Sequence, residues 1–162
     1  NPPEEVSLQE LAQEAMALVA GRIEQRGVQV HVTAQPCRLR GDRPRLLEVY
    51  QNLIDNAVKF MGDQASPRVE IGVERRGSDI VLFVKDNGMG IDTRYRHRLF
   101  GLFERLHPEI EGTGMGLAMI KRIVEFHGGR IWAESDGDGL GTTFCFTLRD
   151  TTLDGDAFAH PS

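Results

Sequence analysis

The sequence contains few cysteines, no long hydrophobic segment and no excess of positive charge. Its 162 residues include two cysteines, Cys37 and Cys145, which are too few for a disulfide framework. No apolar run approaches the roughly 20 residues that a membrane-spanning helix needs, and nothing resembles a signal peptide. The formal net charge of -5 argues against a dedicated nucleic-acid binder, because neutralising phosphates usually requires a basic surface. These absences predict a cytoplasmic domain that binds no nucleic acid.

The length and composition are those of one folded domain. Hydrophobic residues make up 40% of the chain, which is enough for a single core at this length. The chain begins at Asn1 without a Met, so we expect a fragment of a larger protein, whose other parts could be soluble or membrane-bound.

Three helices are predicted from capping signals and apolar periodicity. Ser7 followed by Glu10 is a capping-box pattern before an amphipathic stretch that ends at Gly27. Asp42 can cap a second helix that carries Pro44 in its first turn. The third helix is expected to direct four apolar residues inward: Leu117, Ile120, Ile123 and Val124.

The strands alternate with these helices, which predicts an α+β fold. The predicted strands are 28–32, its short partner 37–39, a hairpin of 69–73 with 80–84, and a last hairpin of 131–133 with 142–148. We expect a two-layer sandwich in which a mixed, mostly antiparallel sheet carries three main helices on one face. Residues 1–149 would form the domain, and the polar residues 150–162 would be a disordered tail.

A polar stripe runs along the second helix. Asn52, Asn56 and Lys59 are spaced i, i+4 and i+7, so they point the same way, beside a core-facing stripe. Carboxamides can coordinate a cation and a lysine can meet phosphate, which suggests a nucleotide and metal site. A solvated helix face is the alternative.

Asp86 ends a strand and is followed by Gly88 and Gly90. It shares parity with core residues of its strand, so its carboxylate is directed inward and needs a donor. The exocyclic amine of adenine would serve, and the glycines would let the backbone pass close to a flat ligand. An Asp-Asn-Gly turn satisfied by its own backbone is the alternative.

Two further segments suggest phosphate binding. A glycine turn opens the third helix, and its backbone N–H groups could form a phosphate cradle. Its residues are Gly112, Thr113, Gly114, Met115, Gly116 and Leu117. The preceding loop is long for a compact domain, as functional lids often are. Within it Arg105 could reach the terminal phosphate while Phe100 pins the lid, or both could be a hydrophobic anchor with a solvated arginine.

Five motifs occur in an order that resembles the catalytic and ATP-binding domain of bacterial two-component sensor histidine kinases. The segments are 52–60 (N box), 86–90 (G1), 100–105 (F), 112–117 (G2) and 139–144 (last glycine box). The resemblance runs from about residue 5 to 149, and residues 105–107 are similar to the phytochrome-like and PAS-linked branch.

The resemblance implies the Bergerat fold with a lid at about 91–113, and ATP and Mg²⁺ as cofactors. Asn56 would hold Mg²⁺, and Lys59 with Arg105 would face phosphate. Asp86 would accept from adenine, with Thr142 nearby through water. Nucleotide contacts would also come from Asn52, Gly88, Gly90, Ile91, Phe100 and the 112–117 segment.

Asn52 separates a kinase from a hydrolase. In the ATPase relatives this position is a glutamate that activates water, and an amide has no useful basicity for that purpose. The resemblance therefore implies transfer of the γ-phosphate to a histidine, which then supplies a response regulator. No phosphoacceptor motif occurs in this chain, so the histidine would lie on a separate dimerisation domain of the parent, and the isolated piece would be monomeric. A degenerate nucleotide-binding module and an anti-sigma-type serine kinase are the alternatives.

Overall fold

The computed structural model describes residues 2–91, 116–137 and 139–153. In chain order the elements are β1 (Glu4–Ser7), α1 (Leu8–Leu18), α2 (Ala20–Arg26), β2 (Gln29–Val32), β3 (Cys37–Gly41), α3 (Arg43–Lys59), β4 (Arg68–Arg76), β5 (Asp79–Asp86), α4 (Gly116–Phe126), β6 (Ile131–Glu134), β7 (Thr142–Phe146) and β8 (Thr151–Leu153).

Two sheets organise the described part of the chain. The larger sheet has five strands in the order β2-β4-β5-β7-β6, in which β2 runs parallel to β4 and the other pairs are antiparallel. The smaller sheet has the order β1-β3-β8 and is antiparallel. The predicted α+β class with a mixed, mostly antiparallel sheet is confirmed, as are both predicted hairpins.

The predicted partner of β2 is wrong. Residues 37–39 pair with β1 and β8 instead of β2. The side-chain amide of Gln9, on α1, donates to the carbonyls of Thr33 and Gln35 at 2.9 and 2.8 Å. These bonds hold the connection against α1, so β3 starts beside β1 and builds a second sheet.

The expectation of a disordered tail from residue 150 is wrong for Thr151–Leu153. These residues form β8 along the free edge of β3, and Leu153 is buried there. A polar composition concealed the strand, because its hydrogen-bond partner lies more than a hundred residues earlier in the chain.

The predicted helix caps are present. The Ser7 hydroxyl accepts from the Glu10 N–H, and the Asp42 carboxylate accepts from the Arg45 N–H, which fixes where α1 and α3 begin. The first predicted helix is divided at Val19 into α1 and α2, and Gly27 ends α2 in the left-handed conformation.

The core lies between α1, α3, α4 and the larger sheet. Leu46, Val49 and Leu53 of α3 are completely or almost completely buried, as their spacing predicts, whereas Phe60 is half-buried. The ring of Tyr50 meets Phe146 of β7 edge to face, with centroids 5.6 Å apart. This packing holds α3 across the sheet with its polar stripe towards one end of the core. Among the described residues, no helix combines the length and apolarity that a membrane crossing requires.

Candidate functional site

Asp86 is the last residue of β5, and its carboxylate is buried between β7 and the following loop. Its Oδ1 accepts from the N–H of Gly88 at 2.9 Å and from the N–H of Thr142 at 3.3 Å. No residue in the described ranges donates a hydrogen bond to Oδ2. Burial raises the pKa of Asp86 to about 6, although the two backbone donors oppose the shift. One carboxylate oxygen is therefore available to accept from a ligand.

Thr142 lies beside this carboxylate. It is the first residue of β7, it is buried, and it is paired across the sheet with Asp86. The predicted proximity of Thr142 to the group that would bind adenine is thus consistent with the register of β5 and β7.

The loop after β5 is held by backbone hydrogen bonds to two other segments. The N–H of Met89 donates to the carbonyl of Phe60 at 2.8 Å, just beyond α3. The N–H of Gly141 donates to the carbonyl of Gly88 at 3.1 Å, and the N–H of Gly139 donates to that of Met89 at 2.6 Å. The loop is therefore fixed between the end of α3 and the turn before β7.

The glycines of this loop are required by close backbone approach. A Cβ on Gly88 would lie 2.5 Å from the carbonyl oxygen of Phe60 and 2.9 Å from the Cα of Met61. Gly90 and Gly141 have φ of 76° and 79°, and a Cβ on either would collide with a backbone carbonyl oxygen. The buried Ile91 follows, and its N–H donates to the Ser135 hydroxyl at 3.1 Å.

The polar stripe of α3 is half-buried. The side-chain N–H of Asn52 donates to the carbonyl of Glu48 at 2.8 Å, which orients its amide along the helix. The side chain of Asn56 makes no hydrogen bond within the described ranges, so its oxygen is available to a ligand. Lys59, the last residue of α3, lies with its Nζ 3.3 Å from Asp55 Oδ2.

The start of α4 lies against this stripe. A Cβ on Gly116 would be 3.3 Å from the Oδ1 of Asn52, and Leu117 is buried at the helix start. The N-terminal end of α4, which carries the positive end of the helix dipole, therefore lies beside the amide of Asn52, and this favours a negatively charged ligand nearby.

The structure therefore groups the predicted residues on three sides. The loop from Asp86 to Ile91 contacts Thr142 and the residues just after α3, and the first residue of α4 contacts Asn52 of the α3 stripe. The other predicted site residues lie outside the described ranges: Phe100, Arg105, Gly112, Thr113, Gly114 and Met115. The predicted lid is likewise outside them, apart from Ile91. The ligand contacts assigned to all of these residues stay predictions.

Three residues around the site, Ser135, Asp55 and Arg22, were not predicted from the sequence. Ser135 donates from its hydroxyl to the Gly141 carbonyl at 2.8 Å and accepts from the N–H of Ile91, and so ties the turn before β7 to the loop after β5. Asp55 bridges Lys59 and Arg22. The i, i+4 spacing of Asp55 and Lys59 is a readable signal, whereas the contact with Arg22 depends on how α2 packs.

The available groups fit magnesium and ATP. Mg²⁺ prefers oxygen ligands and usually keeps several waters, taking one or two protein groups together with substrate phosphates. The described residues contain no cluster of three acidic, histidine or cysteine side chains that could hold a metal alone. A metal at the free amide of Asn56 would therefore need phosphate oxygens as well. A buried carboxylate acceptor, glycine loops and a helix start facing amides are together typical of an ATP-binding α+β domain.

Comparison with known families agrees with this class. A family model described as "Histidine kinase-, DNA gyrase B-, and HSP90-like ATPase" matches residues 41–152, which is more than half of the chain. The chain belongs to this family.

Curated relatives place it among the histidine kinases. It is 45% identical over 148 residues to the methanogenesis regulatory histidine kinase FilI of Methanothrix harundinacea, covering 91% of this chain and 17% of that protein. It is 43% identical over 143 residues to the phytochrome-like protein Cph1 of Synechocystis sp., covering 87% of this chain and 19% of that protein. The chain thus spans about a fifth of the length of these relatives. The predicted resemblance to phytochrome-like kinases is confirmed.

Solved structures agree with the fold. The mycobacterial sensor histidine kinase MprB aligns with a TM-score of 0.76 and 27% identity, covering 90% of this chain and 95% of that one. The nucleotide-free catalytic domain of histidine kinase ThkA aligns with a TM-score of 0.75 and 26% identity, covering 91% and 97%. This chain is accordingly a histidine kinase catalytic domain.

Proposed function

We propose that this domain binds Mg-ATP and transfers the γ-phosphate to a histidine on a separate dimerisation and phosphoacceptor domain of its parent protein. The observation that carries the proposal is the buried carboxylate of Asp86, which keeps one oxygen available beside Thr142 and a glycine-lined loop. Such a group recognises an amine donor, and the exocyclic amine of adenine supplies one.

Each side of the site has a role in this proposal. Asp86 accepts from adenine, and Lys59 neutralises phosphate charge. The amide oxygen of Asn56 holds Mg²⁺, which supplies charge neutralisation at the phosphates when bound. Phosphoryl transfer depends mainly on positioning and electrostatic stabilisation, so these groups are sufficient without a covalent enzyme intermediate.

Asn52 supports transfer over hydrolysis. Its amide is held by the Glu48 carbonyl, and it has no basicity with which to activate water. The nearby acid Asp55 is occupied by Arg22 and Lys59. The γ-phosphate would therefore remain on ATP until a nucleophile from another domain attacks it.

The partners follow from the reaction. The acceptor histidine would lie on the parent's helical domain, and a response regulator would receive the phosphate. A structure of ThkA in complex with the response regulator protein TrrA aligns with this chain at 25% identity and a TM-score of 0.71, covering 90% of this chain and 41% of that one. We expect the isolated domain to be monomeric and to act in the cytoplasm, where ATP is present.

The test is transfer of label from [γ-³²P]ATP to the full-length parent protein. The purified domain is mixed with a parent whose own copy of this domain carries Asn56→Asp, so that label must come from the added domain. We expect an acid-labile, base-stable phosphohistidine with the wild-type domain and with the exposed control Glu125→Gln. We expect no phosphohistidine when the added domain carries Asn56→Asp or Gly114→Ala.

The alternatives give different results. Acid-stable phosphoserine would indicate a serine kinase, and ATP binding without any transfer would indicate a degenerate module. Transfer that survives both Asn56→Asp and Gly114→Ala would refute the site assignment.

A further inference from the structure

Asp55 is an acidic residue placed between two cations beside the nucleotide-facing stripe of α3. Its Oδ1 lies 2.8 Å from the Nε of Arg22, and its Oδ2 lies 3.3 Å from the Nζ of Lys59. Each carboxylate oxygen therefore binds one cation. The side chains of Asp55 and Lys59 are 23% and 26% exposed, so the pair is only partly screened by solvent.

Arg22 reaches Asp55 from α2, a helix attached mainly through polar contacts. None of its side chains is fully buried, although Ile23 packs partly against the core. Arg26, one turn after Arg22, donates to the carbonyl of Gly62 at 2.8 Å. Two arginines at i and i+4 thus tie α2 to the last turns of α3 and to the loop that follows it, and of the two it is Arg22 that contacts Asp55.

We propose that Asp55 and Arg22 are positioning residues that set the affinity of Lys59 for the phosphates of ATP. This inference rests on the proposed function of the site. Asp55 holds Lys59 at the end of α3, but its own negative charge opposes the binding of phosphate. Arg22 offsets that charge from the other carboxylate oxygen, which weakens the attraction of Asp55 for Lys59 and lets the ammonium turn to a phosphate when one binds.

The local charge balance gives opposite directions for the two substitutions. Arg22, Asp55 and Lys59 together carry one net positive charge. Loss of the arginine leaves a neutral pair in which Lys59 is bound to Asp55. Loss of Asp55 leaves two cations, and no carboxylate then competes with phosphate for Lys59. Phosphate affinity should therefore fall in the first case and rise in the second.

A consequence is that α2 is linked to nucleotide affinity. Any displacement of α2 that removes Arg22 from Asp55 leaves the full charge of the carboxylate to Lys59 and weakens phosphate binding. A change in the position of α2 would therefore change the affinity of the site for phosphate through the ion pair between Arg22 and Asp55.

The experiment measures the affinities of ATP and adenosine by competition against a fluorescent ATP analogue. We expect Arg22→Gln to weaken ATP binding about threefold and Asp55→Asn to strengthen it about threefold, the scale of one partly exposed ion pair. Adenosine affinity should not change, because adenosine carries no phosphate. Arg22→Lys should restore most of the ATP affinity.

Arg26→Gln is the matched control, because it removes the other arginine contact of α2 and leaves the ion pair between Arg22 and Asp55 in place. It should leave the ratio of ATP to adenosine affinity at the wild-type value. In a double-mutant cycle, Arg22→Gln should weaken ATP binding less in the Asp55→Asn background than in the wild type, because the ion pair that it breaks is already absent.

The outcomes separate the two proposals. Equal losses of ATP and adenosine affinity in Arg22→Gln would assign a structural role only and overturn this inference. Unchanged ATP affinity in Arg22→Gln and Asp55→Asn, with normal binding by the wild type, would also overturn it while leaving the proposed function intact. A folded wild-type domain that bound no ATP would overturn the proposed function and this inference with it.

Discussion

The carboxyl group of Asp86 is buried below the loop that follows β5, and burial raises its pKa to about 6. An aspartate in an unfolded chain titrates near 3.9. The folded state therefore holds the proton more tightly than the unfolded state does. The stability that this preference contributes is complete below about pH 4 and is lost as the pH rises through about 6. At neutral pH the ionised carboxylate costs stability, which is consistent with a residue retained for a ligand.

We expect Asp86→Asn to make the unliganded domain more stable at pH 8 by up to about 3 kcal/mol, as the shift of the pKa implies. An asparagine oxygen can still accept from the N–H groups of Gly88 and Thr142, and no charge remains to be desolvated. Urea unfolding measures the difference, which should shrink as the pH falls from about 6 to 4. Asp79→Asn, at the start of the same strand, is the control: its side chain is 46% exposed and pairs with Arg130, so the change should alter stability by less than about 1 kcal/mol.

The same substitution should weaken ATP binding at least tenfold. The amide of asparagine would present N–H towards the adenine amine in place of an acceptor, leaving two donors face to face. In the wild type, ATP affinity should fall as the pH drops below about 6, because protonation removes the same acceptor. Calorimetric titration between pH 5.5 and 8 measures both effects. An Asp86→Asn variant that is less stable than wild type and binds ATP normally would contradict this assignment.

At the scale of elements, the loop after β5 and the turn before β7 form one unit that a strand pattern alone does not reveal. Gly88, Gly90 and Gly141 each admit another backbone at a distance where a Cβ would collide. From the sequence, Gly88 and Gly90 were predicted to allow a close approach of the backbone to a ligand, and no such role was predicted for Gly141. The structure shows that two protein segments occupy much of that space.

Gly141→Ala should therefore unfold the domain more readily than Gly77→Ala does. Both glycines have positive φ, 79° and 61°, so an alanine at either site carries the same backbone strain of about 1–2 kcal/mol. A Cβ on Gly141 would also meet the carbonyl of Asp86, whereas one on Gly77 meets nothing within 4 Å. We expect Gly141→Ala to cost about 3 kcal/mol or more and Gly77→Ala about 1. Thermal unfolding compares the two variants, and equal losses of stability would show that the close approach of Gly141 to the Asp86 carbonyl is unimportant.

At the scale of the whole molecule, the small sheet joins the two ends of the described chain. Its central strand β3 lies between β1, near the start, and β8, near the end. Leu39 of β3 and Leu153 of β8 are buried in the same core as α1. This sheet extends the folded unit beyond residue 149, where the sequence analysis placed its end.

A chain that stops at Asp150 should be less stable than one that stops at Leu153 by about 2 kcal/mol. The shorter chain loses the burial of Leu153 and the ladder between β8 and β3. The chain ending at Leu153 keeps both and serves as the control for removal of 154–162. The midpoints of urea unfolding compare the stabilities of the two chains, and identical midpoints would mean that β8 contributes nothing to stability.

Local sequence patterns were sufficient to predict most of the helices and strands and the residue types that form the site. The caps at Ser7 and Asp42, the inward stripe of α3 and the alternation of β4 and β5 involve residues a few positions apart, so periodicity and side-chain chemistry identify them. The inward direction of Asp86 follows from strand parity in the same way.

The remaining features depend on packing between residues that are distant in the sequence. The partners of β3, the existence of β8 and the contact of Arg22 with Asp55 join segments that are tens to more than a hundred residues apart. The depth of burial that raises the pKa of Asp86 likewise depends on β7 and on the loop that covers it. Such contacts form only when the hydrophobic faces of separate elements are brought together, and no local pattern specifies which distant residue completes them.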